Sequence, residues 1–63
     1  MEDIQKAIGD VFLDQVSKAY LIFSDEMWAA EGDELAIEEA ETKYEARLSH
    51  AKNVRSRAIM LSV

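Results

Sequence analysis

Sixty-three residues, 49% hydrophobic and 32% charged, with a net charge of −6, describe one small acidic domain of folded-protein composition and exclude a low-hydrophobicity disordered chain. A chain this short buries only about 60% of the surface that its unfolded form exposes. With no cysteine and a single histidine, it has no disulfide or evident metal to reinforce that core, which leaves self-association.

The first segment, 3–30, is a predicted amphipathic helix. At about 100° per residue it gathers Ile4, Ile8, Val11, Phe12, Val16, Ala19, Tyr20, Ile22, Phe23 and Met27 on one face. That face spans about 200°, twice the stripe of about 100° that one neighbouring helix covers. Gly9 sits within it at a tolerated cost of about 1 kcal/mol. Residues 31–33, Glu-Gly-Asp, break the pattern. Gly32 suits the left-handed position that follows a helix, and Asp33 can cap the next helix by accepting from its free backbone N–H groups.

The second segment, 34–61, has a narrower stripe of Ile37, Ala40, Tyr44, Leu48, Ala51, Val54, Ala58 and Ile59. Its alanines permit close approach of a neighbour. Its charges are ordered: residues 31–45 hold seven acids against Lys43, whereas residues 46–63 hold Arg47, Lys52, Arg55 and Arg57 and no acid. Acid first and base last matches the helix dipole. Two helices of about 40 Å joined by a tight turn fold back on each other. The expected fold is therefore all-α: one domain over 1–63, an antiparallel helical hairpin.

Folding about Gly32 brings Asp10 to the height of Arg55, Asp14 to that of Lys52 and Lys18 to that of Glu45, so opposite charges are expected along the hairpin. Arg47 and Arg55 border the apolar seam, where their heads can reach acids on the first helix. Tyr20 and Tyr44 fall at similar heights and are candidates to stack. Because the second helix covers only part of the broad face, a second copy is the simplest cover for the rest, giving a homodimeric four-helix bundle. Ile8, Phe12, Val16, Tyr20, Phe23 and Met27 are the candidate dimer interface. Several small bacterial and phage regulators resemble this hairpin-dimer plan, a likeness of architecture that carries little about function.

Leu21 and Trp28 stand seven residues apart on the polar side of the first helix, a placement typical of a contact site. The competing structural reading folds Trp28 over the turn onto Leu35. The acidic end contains Asp25, Glu31, Glu34 and Glu38, which could attract a basic protein surface or imitate nucleic-acid phosphates; its plain reading is a solvated helix start. The bases scatter around the wheel, and the net charge is negative, which disfavours direct nucleic-acid binding. Glu38, Glu41 and Glu45 share one face, but His50 lacks the Glu-x-x-His spacing of metal-carrying bundles. No serine has an identifiable histidine and carboxylate relay. No metal, cofactor or catalytic residue is assigned.

The longest apolar run, Ala19 to Phe23, is far short of the ~20 residues of a membrane span. The acidic start Met1-Glu2-Asp3-Ile4 is unlike a signal peptide. A cytoplasmic protein without a membrane partner is the expectation. Its leading function is protein binding, as a homodimeric inhibitor or adaptor of the kind that phages and mobile elements encode against host factors. The alternative is a nucleic-acid-related regulator, either an acidic DNA mimic or a hairpin-dimer binder.

Overall fold

A computed structural model describes residues 3–62, and these form an all-α helical hairpin. Helix α1 runs Ile4–Ala30 and helix α2 runs Glu34–Leu61. The Cα atoms occupy 50 × 15 × 6 Å, so the molecule is a flat slab one helix thick. Among the described residues no helix is long and apolar enough to cross a membrane.

The ends of the helices follow from local chemistry. Asp3 is the N-cap of α1: its Oδ1 accepts from the backbone N–H of Lys6 at 3.1 Å. Asp33 caps α2 in the same manner, accepting from the Leu35 N–H at 3.0 Å. Each cap satisfies a donor that the first turn leaves without an intrahelical partner. At the far end of α2 the Ser62 hydroxyl donates to the Ala58 carbonyl at 2.7 Å.

Two consecutive residues of the turn, rather than Gly32 alone, take the left-handed conformation: Glu31 at φ 50° and Gly32 at φ 83°. The Asp33 N–H then donates back to the Ala30 carbonyl at 2.9 Å. Reversing the chain within three residues requires both positive φ values, and only one of the two positions is filled by a glycine, for which that region costs little.

The seam between the helices closes on small residues. Ala19 and Ala30 of α1 and Ala40 and Ala51 of α2 are the buried hydrophobic residues, with Ala40 only 2% exposed. Alanines at the contact bring the helix backbones close, and the larger groups flank them. Phe23 stacks on Tyr44 with ring centroids 4.7 Å apart, and the Arg55 guanidinium lies 4.4 Å from the centre of the Phe12 ring. Glu26, half-buried in the seam, has Lys43 at 3.8 Å and Arg47 at 3.7 Å.

The charge pattern differs from the expected ladder in an instructive way. Arg47 does reach an acid on α1, but Asp10 pairs with Lys6 at 3.2 Å and Asp14 with Lys18 at 3.0 Å, both one turn away on their own helix. Matching height is not enough. Asp10 lies half a turn of the helical wheel from Ala19, so it points away from α2, and Arg55 settles on an aromatic face instead. The stacking partner of Tyr44 is Phe23 rather than Tyr20 for the same reason: Phe23 lies about 40° from the Ala19 direction and Tyr20 about 100°.

Candidate interaction surfaces

The hairpin leaves many of its large apolar side chains uncovered. Among the described residues no large side chain is fully buried, while Ile4, Val11, Leu13, Tyr20, Leu21, Ile22 and Trp28 of α1 are exposed, as are Leu35, Val54, Met60 and Leu61 of α2. The broad apolar face of α1 accounts for Ile4, Val11, Tyr20 and Ile22. Its centre meets the alanine seam, and its two edges overhang α2 on opposite sides of the slab.

One overhang forms a groove. Ile4, Ile8, Val11 and Phe12 of α1 and Val54 and Ala58 of α2 line an open, almost wholly apolar hollow of about 370 Å3 at the end of the slab that carries the termini. Through Gln15 it continues into a second hollow of about 370 Å3 beside Lys18, Ile22, Ala46, Arg47 and His50. Toward the turn, the same side of the slab holds a smaller hollow of about 200 Å3, lined by Ala29, Ala30, Ala36 and Ala40 and edged by Glu26, Glu39 and Lys43. We refer to this side as the groove face.

The six residues expected at a dimer interface fall in two groups. Ile8, Phe12, Val16, Phe23 and Met27 are half-buried beside the hairpin's own seam, whereas Tyr20 is exposed. Phe12 and Phe23 already have partners in Arg55 and Tyr44. The more open apolar groups are their neighbours at the edge of the face, Ile4, Val11 and Ile22, together with Val54. The helical wheel places all three α1 residues on the broad face. It does not reveal that α2 meets the centre of that face, because the seam position is set by where alanine lets the backbones approach.

The residues expected to contact a partner lie on outer surfaces. Trp28 is 86% exposed and Leu21 61% exposed, both directed away from α2. Leu35 is 74% exposed, so Trp28 does not fold across the turn onto it. Asp25, Glu31, Glu34 and Glu38 are exposed around the turn end. The result is an apolar strip on the outer side of α1 that ends in a tryptophan next to Asp25 and Glu31, with Glu34 and Glu38 on α2 beyond the turn. Glu38, Glu41 and Glu45 border a shallow surface hollow with Thr42, Tyr44 and Leu48; among the described residues no group of three or more potential metal ligands converges.

No protein-family model, curated protein or solved structure matches the chain.

Proposed function

We propose that this chain is a small non-enzymatic interaction module, a homodimer that docks on a target protein as an inhibitor or adaptor. The observation that carries the reading is the inversion of the usual core. Among the described residues the fully buried positions hold alanine, whereas Ile4, Val11, Leu21, Ile22, Val54 and Trp28 are exposed and the remaining large apolar groups along the seam are no more than half-buried. Burying one such side chain fully contributes about 1.5–3 kcal/mol, and a two-helix slab has no other element to cover them. Association supplies the missing cover.

Two surfaces divide the work. The apolar overhang of α1 pairs with a second copy, and the Leu21/Trp28 strip stays available to a target. Aromatic anchors ringed by polar groups are the usual form of a binding hot spot. Asp25 beside the strip, with Glu31, Glu34 and Glu38 of the turn end, selects a target whose own apolar pocket has a basic rim, because complementary charge speeds encounter and rejects acidic surfaces.

The test uses Trp28, the only tryptophan in the chain, as reporter. Self-association through the α1 overhang leaves its emission that of a solvated indole. Titration with a bound target shifts the emission to shorter wavelength, and Leu21→Ala or Trp28→Ala abolishes capture of that target while leaving the solution mass unchanged. Capture that survives both substitutions removes the strip from the account.

A further inference from the structure

Building on the interaction-module reading, we infer that the occupant of the groove face is a second copy of this chain, stacked on it with the two turn ends at opposite ends of the dimer. Three observations converge on this arrangement.

The first is area. A face 50 Å long and 15 Å wide between Cα atoms is a footprint of about 750 Å2, close to the roughly 800 Å2 per partner of a standard stable interface. Two slabs lying lengthwise use the whole of this footprint, whereas crossed slabs would share only a fraction of it.

The second is charge. The half of the hairpin nearest the turn, residues 18–49, carries nine acids and three bases; residues 3–17 and 50–62 carry three acids and four bases. Stacking with the turn ends together would place two strongly acidic halves within about one Debye length, roughly 8–10 Å. Stacking with the turn ends apart lays each acidic half on the slightly basic half of its partner.

The third is the match of side chains along the length. The twofold axis of the turn-apart dimer crosses the groove face at mid-height, near Ser17 and His50, and sets α1 against the partner's α1 in the opposite direction. Ile22 lies five residues from that point toward the turn and Val11 six residues toward the terminus, so each meets the other across the axis within about 1.5 Å of height. Ile4 lies thirteen residues toward the terminus and meets the alanine-lined hollow at Ala29 and Ala30, where small residues leave room for a large one. With the turn ends together, Ile22 would instead lie over the stretch between Lys43 and Ala46 of α2.

Single cysteines test the arrangement, and the absence of native cysteine leaves no background. His50→Cys puts a thiol beside the axis; Glu39→Cys puts it eleven residues away along α2, so that two such thiols in a turn-apart dimer are about 30 Å apart. Both positions are exposed, and circular dichroism verifies that each variant keeps its helix. With a bifunctional maleimide that spans about one interhelical spacing, roughly 8–10 Å, His50→Cys is expected to form a covalent dimer and Glu39→Cys to remain uncrosslinked. Efficient crosslinking of Glu39→Cys overturns the arrangement in favour of turn ends together. No crosslinking of either variant, with a solution mass that remains dimeric, overturns the choice of face while leaving the module reading intact. A monomeric mass with native helix content defeats both.

Discussion

The two helices are almost equal in length, 27 and 28 residues, yet they divide the chemistry of the molecule unevenly. Helix α1 carries seven of the exposed large apolar residues, spread along its length; of the four on α2, Leu35, Met60 and Leu61 lie at its ends and only Val54 lies well inside. The ordered charge gradient, acids in its first half and bases in its second, belongs to α2. One helix is therefore built to be covered and the other to cover and to solvate. A hairpin of two equivalent amphipathic helices would bury both stripes against each other and finish as a monomer; here the mismatch in stripe width leaves an apolar remainder exposed.

The largest effect should come from charging that remainder. Val11→Asp combined with Ile22→Asp places unpaired carboxylates where the groove face is apolar, at a cost of about 3 kcal/mol or more. Dimer affinity should fall at least a hundredfold, with loss of helix content on dilution, as read by sedimentation and circular dichroism. The same two aspartates at Thr42 and Ser49, exposed positions on α2, should leave the mass unchanged.

The seam is the next place to strike. Ala40→Leu forces a larger side chain between closely spaced helices and should lower stability by about 1–3 kcal/mol in thermal or urea unfolding. If the helices instead tolerate leucine at Ala40, the close approach is not what orders the hairpin.

Smaller effects belong to the turn. Gly32→Ala adds a Cβ that meets no neighbour within 4 Å, at φ +83°, so its cost is backbone strain alone, about 1 kcal/mol. Glu31→Gly should have the opposite sign and a similar size, because it relieves a left-handed non-glycine residue. The two together sharpen the comparison, since they alter the hairpin without touching either helix face. Least of all, Lys6→Ala removes an exposed ion pair with Asp10 and should move stability by under about 0.5 kcal/mol.

Much of the architecture was legible in the residues. The glycine and aspartate of the turn, the missing proline and the 3.6-residue periodicity specify two helices and their limits, and exposure of Leu21 and Trp28 follows from their place among polar neighbours. The details that sequence reasoning missed share one cause. Height along a hairpin can be counted, but direction around each helix depends on where the backbones meet, and the four alanines at Ala19, Ala30, Ala40 and Ala51 decide that. Once they define the seam, Asp10 points outward and pairs with Lys6, Phe23 displaces Tyr20 as the partner of Tyr44, and Glu26 becomes the acid that Arg47 reaches. The open flank formed by Ile4, Val11 and Ile22 follows from the same geometry.

Self-association to complete an unfinished core is tested most directly by sedimentation equilibrium across the micromolar range, with helix content recorded on the same samples. The account predicts a species of twice the 7.1 kDa chain mass, dissociating on dilution with parallel loss of helix. A 7.1 kDa particle that keeps its full helix content at every concentration would contradict it.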